Sequence, residues 1–529
     1  MTETAESQRP DRGSGRPAES FGEWARPVHR KRIVLGLMLT MALASVDATI
    51  VSTAAPQIVA DLGGFTALGW VFSGYLLALT VTIPVYGKLA DLYGRKPVLV
   101  AGTLIFLLGS GLCAAAWNMS SLIVFRAVQG LGAGSIQATV QTLAADLYPV
   151  ERRGRISAAL ATVWGVSAVL GPAFGGLFAQ YDLWRWIFLI NLPIGAVALV
   201  LIVRYLHERL GRGRPGIDWA GAGLVLCTGV ALILALLQGG VAWPWLSWPS
   251  LGLLGGAAVL MGTVVIVERR AREPVLPLWL WTRRVLAGVS LSHLCIGVII
   301  IGPTVFLPVY AQVVLGLGPV PAGLVMTTMS MSWPLAAALC SRLYLRIGFR
   351  DTALIGAVTA TAAALWMLLL PYRPPVWHVV GATLLLGAGM GLLSPPTLIG
   401  AQSTVEREQR GTVTASVVFC RYLGQSLGAA VLGAVSNAAL AARLADAPAA
   451  VRERLPGRVD DLGNALPGPG AQAADFGPAA VEYLRHALSD ATQAVYAGVG
   501  TAGAVAVLLL VFITPRRFPL AGGDSGKEL

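Results

Sequence analysis

One acidic residue lies where a membrane-spanning segment would be most apolar. Asp47 falls near the middle of the first long apolar run, where a charged side chain costs about 3 kcal/mol or more. A carboxylate kept from water can hold a proton in one conformation and release it in another. The position therefore predicts a proton carrier, and the alternative is a carboxylate locked permanently to an arginine.

A polar stripe in the fourth apolar run offers a partner for this acid. Arg126 is the natural counter-charge of Asp47, because its approach or withdrawal would control when the carboxylate binds a proton. Gln129, Gln137 and Gln141 continue the same stripe at helical spacing. Such a stripe faces water or protein rather than lipid, and the sequence leaves open whether it borders a substrate cavity or a neighbouring helix.

Other runs contain side chains suited to an adaptable apolar pocket. Arg421 must face protein or water; it can bind anions or pair with Asp47, and the sequence does not decide between these. The aromatic candidates for the pocket wall are Trp164, Tyr310, Trp333 and Phe419. Each of them alone is more typical of ordinary packing.

The elements that must position these residues are membrane-spanning helices. Hydrophobic residues make up 55% of the 529 residues and charged residues only 12%, about half the charged fraction of a soluble domain. The apolar residues form long runs, and a bilayer span needs about 20 of them, whereas barrel strands would alternate. We predict an all-α membrane protein with fourteen spans near residues 33–59, 67–87, 98–116, 119–145, 156–179, 186–206, 218–238, 249–267, 285–313, 322–341, 352–370, 376–400, 411–442 and 489–514.

The basic residues predict the orientation of the chain. Most arginines and lysines cluster in alternate connections between the apolar runs, as expected of cytosolic loops. With fourteen spans, both termini are then cytosolic. The net charge of +12 is explained by this pattern, so we expect no nucleic-acid partner.

No cofactor is expected from the sequence. The five cysteines are far apart and lack metal-ligand spacing, and no glycine-rich loop carries the Lys and Ser or Thr of a nucleotide site. We therefore expect neither metal nor nucleotide; the expected partners are protons, a small-molecule substrate and the lipid bilayer.

An internal repeat predicts two related halves. The glycines at 130, 132 and 134 recur at 387, 389 and 391, and in this copy Thr383 stands for Arg126. The loop at 87–96 has a worn copy at 341–350, in which Leu345 replaces the acid. Parallel repeats of this kind build alternating-access transporters. The predicted parts are a disordered cytosolic tail (1–32), a six-helix bundle (33–206), two inserted helices with linkers (207–284), a second six-helix bundle (285–514) with a long outer loop (443–488), and a cytosolic tail (515–529).

Five stretches, in order along residues 33–442, carry a family resemblance: LASVDATIVSTAAP at 43–56, GKLADLYGRKP at 87–97, RAVQGLGAG at 126–134, GVSAVLGPAFGG at 165–176 and WRWIFLINLPIG at 184–195. Together they resemble the fourteen-helix drug:proton antiporter branch of the major facilitator superfamily. The resemblance implies the major facilitator fold in a bacterial plasma (inner) membrane. It also implies export of drug-like lipophilic or monocationic compounds, including antibiotics, in exchange for protons.

The resemblance also implies roles for two motifs. The loop residues Gly87, Asp91, Gly94, Arg95 and Lys96 would form a conformational latch, in which Arg95 can pair with Asp146. The antiporter motif of the fifth span would comprise Gly165, Gly171, Pro172, Gly175 and Gly176. Glycines there favour close helix packing, and the proline a bend.

Three functions fit this sequence. The first is a drug:proton antiporter, and the second is a dedicated exporter of one metabolite, such as a natural product, lipid, siderophore or amino acid, on the same fold. The third is a non-transporting membrane sensor, which would not need Asp47 or Arg126. Because Asp47 is the only acid in mid-membrane, monocations and neutral compounds are expected rather than dications.

Overall fold

The computed structural model describes residues 27–63, 68–181, 183–208, 219–239, 243–271, 274, 278–448, 451 and 477–518. The N-half comprises α1 Pro27–Thr53, α2 Ala55–Leu62, α3 Leu68–Tyr93, α4 Arg95–Ala114, α5 Met119–Leu147, α6 Val150–Gln180, α7 Trp186–Leu189 and α8 Asn191–Tyr205. The inserted segment comprises α9 Trp219–Gln238, α10 Trp248–Glu268 and α11 Trp279–Thr282. The C-half comprises α12 Arg284–Val313, α13 Pro319–Ile347, α14 Phe349–Leu368, α15 Val376–Ser403, a 3₁₀ turn Arg407–Gln409, α16 Arg410–Ala445 and α17 Gly477–Phe512.

The described helices match the predicted spans in number and order. Thirteen are long and apolar enough to cross a membrane, and the shorter apolar helix Ala220–Leu236 supplies the remaining predicted position. Six of the thirteen lie in the N-half and six in the C-half. The protein is therefore an all-α membrane protein with two six-helix halves and an inserted pair.

The repeated glycines make equivalent contacts in the two halves. In α5, a Cβ on Gly132 would lie 2.3 Å from Phe106 N of α4, and one on Gly130 would lie 2.4 Å from Tyr75 O of α3. In α15, Gly389 approaches α14 and Gly387 approaches α13 in the same way. Only glycine permits such backbone proximity, which explains why this pattern occurs twice in the sequence.

The repeated loop also has the same backbone in both halves. Gly94 between α3 and α4 has φ 94°, and Gly348 between α13 and α14 has φ 90°. L-residues rarely adopt these angles, whereas glycine does so at no steric cost. The shared turn explains why glycine occurs at this position in both copies, although the acid of the first copy is replaced by Leu345 in the second.

The two halves meet along two helix pairs. Helix α3 packs on α16, and α6 packs on α13. The inserted helix α9 lies against both α3 and α16, whereas α10 packs on α9. The inserted pair therefore covers one seam between the halves.

One predicted boundary is wrong at the C-half, the start of the last span at residue 489. Helix α16 continues to residue 445 and α17 already begins at residue 477, so the connection is shorter than the predicted loop 443–488. The first turns of α17 carry charged side chains, so the apolar run in the sequence begins later than the helix itself. These charges are paired: Glu482 lies 3.3 Å from Arg373, and Asp490 lies 2.6 Å from Arg443.

The predicted tails are also shorter. Residues 27–32 belong to α1, where Arg32 donates a 2.7 Å hydrogen bond to Tyr205 Oη. At the other end Phe518 is fully buried and its ring centroid lies 5.6 Å from that of Phe349. Residues 1–26 and 519–529, the remainder of both predicted tails, lie outside the described residues.

The first predicted span, 33–59, is interrupted. Helix α1 ends at Thr53 and α2 begins at Ala55, because Pro56 cannot donate a backbone hydrogen bond to continue the helix. In α2, hydrogen bonds from Arg185 and Trp184 hold the pKa of the Asp61 carboxyl below its usual range. This acid is paired within the N-half.

Gly424 should be intolerant of a side chain. A Cβ there would lie 2.0 Å from Leu294 O in α12, whereas one on Gly433, also in α16, would meet nothing within 4 Å. We expect Gly424→Ala to destabilise the protein by about 1–3 kcal/mol through overpacking. Gly433→Ala should be neutral or stabilising by up to about 1 kcal/mol. Thermal midpoints of the purified variants in detergent test this, and equal midpoints would contradict the close α12–α16 approach.

Candidate functional site

Asp47 is enclosed by hydrogen-bond donors in the interior of the N-half. Its side chain is fully buried, and Oδ2 lies 2.5 Å from Arg126 Nη1. Oδ1 accepts hydrogen bonds from Gln129 Nε2 at 2.8 Å and from Asn191 Nδ2 at 3.4 Å. We call these four residues the Asp47 cage.

Arg126 is held on several sides. It donates to Gln129 Oε1 at 2.7 Å and, through Nε, to Val71 O at 3.3 Å, and its guanidinium lies 4.1 Å from the Tyr75 ring centroid. The predicted Asp47–Arg126 contact is therefore present. The cage satisfies both charges, as burial of an ion pair requires.

Sequence reasoning missed two members of this network. Asn191, at the start of α8, and Ser110 of α4 hydrogen-bond each other at 2.9 Å, and Gln129 donates to Ser110 Oγ at 3.2 Å. An asparagine within the WRWIFLINLPIG stretch was the available signal, since a buried amide must find partners.

The cage can act as a switch. Protonation of Asp47 would leave Arg126 as an uncompensated buried charge, and breaking such a pair costs about 3–5 kcal/mol. The N-half must then rearrange to solvate or re-pair the guanidinium. Proton binding at this site would therefore be coupled to conformation by the cost of an unpaired cation.

The second cluster joins the two halves at one end of the molecule. Asp91 of α3 accepts hydrogen bonds from Gly411 N at 2.8 Å and Thr412 N at 2.6 Å, and from Thr412 Oγ1 at 2.8 Å. It thus caps the N-terminus of α16, where the helix dipole favours a negative charge. Its own-half partner is Arg95, at 3.3 Å.

Asp146 makes the second bridge between the halves. Arg95 Nε lies 3.3 Å from its carboxylate, as the sequence predicted, and Arg410 and Arg407 of the C-half lie at 3.0 and 3.6 Å. We call Asp91, Arg95, Asp146, Arg407 and Arg410 the latch cluster. Sequence reasoning missed Arg407 and Arg410, because both come from the other half of the chain.

The remaining residues of the predicted latch shape this end. A Cβ on Gly87 would lie 2.1 Å from Ala415 Cβ, so glycine there permits the approach of α16. Lys96 Nζ donates to Val203 O at 2.9 Å, while Glu208 accepts hydrogen bonds from the backbone N–H of Arg95 and Lys96.

Further bonds between the halves lie at the same end. Tyr344 Oη donates to Val150 O, and Arg153 Nη1 donates to Ser403 Oγ at 3.2 Å. The hydrogen bonds that described residues of the two halves exchange are concentrated here. This end, which we call the latch end, is closed in the structure.

A cavity of about 340 Å³ lies between the halves. Helices α1, α5 and α6 form one wall, and α12, α13, α15 and α16 form the other. Four predicted residues line it: Gln141, Trp164, Trp333 and Arg421. Sequence reasoning missed the cation Arg153, which also lines it and sits at the latch end of α6.

Two predicted lining glutamines lie elsewhere. Gln129 belongs to the Asp47 cage, and Gln137 is fully buried away from the cavity wall. Most of α5 is enclosed by α3 and α4, and only its last turns, at Gln141, Ala144 and Ala145, reach the cavity. Of the polar stripe, Gln141 therefore borders the cavity, whereas Gln129 and Gln137 face the interior of the N-half.

Two predicted aromatic lining residues also lie elsewhere. Tyr310 is buried in the core of the C-half, nearly two turns of α12 beyond the lining residue Thr304. Phe419 packs against the core of the N-half, because residues two positions apart on a helix point in nearly opposite directions and Arg421 faces the cavity. Arg421 does not pair with Asp47.

The glycines of α6 permit two close approaches. A Cβ on Gly165 would lie 2.8 Å from Ser330 O of α13, and one on Gly171 would lie 2.0 Å from Thr49 Oγ1 of α1. Gly175 is buried. The side-chain surroundings of Pro172 and Gly176 are outside the described part of the structure. The close helix packing that the motif predicted is therefore present at Gly165 and Gly171, whereas the bend at Pro172 stays a prediction.

Comparison with known proteins identifies relatives across most of the chain. The profile described as Major Facilitator Superfamily matches residues 37–429. "Multidrug transporter protein MdtP" of Bacillus subtilis (strain 168) is 33% identical over 466 residues, covering 87% of this chain and 86% of the relative. "Multidrug resistance protein 3" of the same organism is 36% identical over 427 residues, covering 80% and 83%.

Solved structures agree on the fold. The proton:xylose symporter XylE, solved with bound 6-bromo-6-deoxy-D-glucose, superposes with a TM-score of 0.61 at 14% identity. The match covers 92% of this chain and 96% of that one. The expected major facilitator fold is thereby confirmed.

Weakening the Asp91 cap should open the latch end. Asp91→Asn removes the negative charge and one acceptor from the N-terminus of α16, a loss of about 1–2 kcal/mol and a population shift of roughly 5- to 30-fold. Spin labels at the exposed Arg152 and Arg342, one on each half, should report longer distances in the variant. Cys227, the exposed native cysteine, is replaced by serine beforehand.

Asp61→Asn is the matched control for this measurement. It removes a carboxylate whose described partners, Arg185 and Trp184, both lie in the same half. The label distances should then stay as in the parent protein. Unchanged distances in Asp91→Asn as well would contradict the assigned latch.

Proposed function

The chain belongs to the major facilitator superfamily, a family of transporters rather than enzymes, and on that premise we propose that it is a proton-coupled antiporter. In this proposal it exports lipophilic, drug-like compounds by alternating access. The observation that carries the proposal is the buried Asp47–Arg126 pair, at 2.5 Å.

Proton coupling follows from the charge balance of the Asp47 cage. The ionised carboxylate neutralises Arg126, whereas the protonated one does not. A proton therefore favours a different arrangement of the N-half, and each proton moving inward gains about 2.3 kcal/mol per 100 mV of membrane potential. A sensor without transport would need no such pair, so the cage favours transport.

Alternating access is supported by the latch cluster. It holds α3 and α5 of the N-half to the start of α16 and closes the latch end. Opening that end requires these polar contacts to break together, while the cavity between the halves becomes accessible there. We propose that release of the latch and rearrangement of the cage are alternating steps of one cycle.

The cavity wall supports lipophilic substrates. Trp164, Trp333, Met326 and Met329 line it, and flexible methionines with aromatic rings suit varied apolar ligands. The wall does not support the expected preference for monocations, because Asp47 is enclosed in its cage and is not a lining residue.

We place the protein in a bacterial plasma membrane, with the latch end and both termini in the cytosol. The support is the distribution of arginines and lysines, which concentrate in the connections at the latch end. In this orientation the structure has its cytosolic side closed. Protons, the exported compound and the surrounding lipids are the proposed partners.

Asp47→Asn should abolish uphill efflux. The amide cannot carry a proton, so a pH gradient across proteoliposomes should no longer drive export of a lipophilic fluorescent compound. Counterflow exchange, in which substrate moves on both sides without proton binding, should persist at no less than about one third of the parent rate. Persistence would show that the variant is folded despite the unpaired Arg126.

Asp61→Asn again serves as control, since it removes a paired acid outside the cavity and cage. Its gradient-driven efflux should match the parent. Full gradient-driven efflux by Asp47→Asn would refute Asp47 as the proton carrier.

A further inference from the structure

The described cavity wall carries positive charge without a matching acid. Arg153 of α6 and Arg421 of α16 both line it, and no aspartate or glutamate is among its described lining residues. In a low-dielectric setting, an arginine without an anion is costly. The wall is therefore complementary to a negative group.

Arg421 is the cation that a ligand can reach. Its side chain is only partly buried, and no carboxylate of a described residue lies within ion-pair distance of it. Its guanidinium lies 5.4 Å from the Tyr422 ring centroid, and Gln425 lines the cavity one helical turn further on. The guanidinium fork and the amide together offer donors suited to a planar acid group.

The acids of the Asp47 cage and of the latch cluster already have partners. Asp47 is held by Arg126, Gln129 and Asn191 within its cage. Asp146 is shared among three arginines of the latch cluster. Neither acid can neutralise Arg421 without breaking the contacts described above.

Arg153 also indicates that the cavity wall lacks a hydrogen-bond acceptor, independently of Arg421. Only 2% of this residue is exposed; its Nε donates to Tyr148 O at 3.1 Å and its Nη1 to Ser403 Oγ at 3.2 Å. Its Nη2 is buried and has no hydrogen-bond partner among the described residues. Buried donors are rarely left unpaired in folded proteins, so this wall is one acceptor short.

We propose that the cavity takes lipophilic monoanions, whose carboxylate or similar acid group pairs with Arg421 while the apolar body lies against Trp164 and Trp333. The inference rests on the proposed function and narrows its substrate class. Arg153 adds positive potential and a free donor at the latch end. Export of such an anion against proton entry moves both charges down a potential that is negative inside.

The test compares three dansyl compounds that differ mainly in charge. Dansylglycine is an anion at neutral pH, dansylglycinamide is neutral, and N-(2-aminoethyl)dansylamide is a cation. Fluorescence anisotropy with the purified full-length protein in detergent gives each equilibrium affinity without a proton gradient. We expect the anion to bind at least 10-fold more tightly than the cation, with the neutral amide between them.

Two variants test whether Arg421 is the source of the preference for the anion. Arg421→Gln should weaken dansylglycine binding at least 10-fold and leave the amide within about 2-fold, which also shows that the variant is folded. Gln425→Glu introduces a carboxylate one turn from Arg421 and should remove the anion preference as well. Arg283→Gln, which removes an exposed cation stacked on Trp279 outside the cavity, should change none of the affinities.

The outcomes separate this inference from the proposed function. If the wild-type protein binds the cation as tightly as the anion, or if Arg421→Gln and Gln425→Glu both keep the anion preference, the inference is wrong. Gradient-driven export of the neutral amide would then still support the antiporter. If the anion preference is present but no dansyl compound moves with a pH gradient in proteoliposomes, the binding site stands and the antiporter proposal fails.

Discussion

The cost of an unpaired charge in a medium without water governs this structure. Asp47 and Arg126 are buried completely, and they are tolerable together because each neutralises the other and amides fill the remaining hydrogen-bonding positions. The same cost applies at Asp91 and Asp146, whose partners belong partly to the opposite half. Charge pairing therefore stabilises the arrangement of the two halves that the structure shows.

The two charged clusters draw on the halves differently. The Asp47 cage lies wholly in the N-half, and the C-half has threonine where Arg126 would repeat. That threonine, Thr383, hydrogen-bonds Thr328 at 2.7 Å, a neutral contact in place of an ion pair. The C-half instead supplies the start of α16 to the latch cluster. One half thus holds the buried Asp47–Arg126 pair, and the other contributes the helix end on which Asp91 and Asp146 find partners.

Much of this arrangement could be predicted from the sequence, for a physical reason. A charge within an apolar run needs a partner, and few partners exist, so the pair Asp47–Arg126 could be predicted from the apolar runs. The pair Arg95–Asp146 lies at the ends of two runs and was predicted from the loop motif instead. Residues whose importance depends on distant chain segments could not be predicted; Arg410 is an example. The side of α16 that faces the cavity was equally hidden, because helical periodicity gives relative directions but no absolute orientation.

The placement of α9 makes the two sides of the molecule unequal for a solute dissolved in the bilayer. This helix lies over the seam where α3 meets α16, so lipid tails there touch the inserted pair and not the joint itself. At the α6–α13 seam, the described part of α9 and α10 makes no comparable contact, and the outer face of α6 carries exposed apolar residues such as Phe174 and Leu177. Among the described residues, one seam between the halves is thus shielded by a helix of the inserted segment and the other is not, so the two flanks of the molecule present different surfaces to the bilayer.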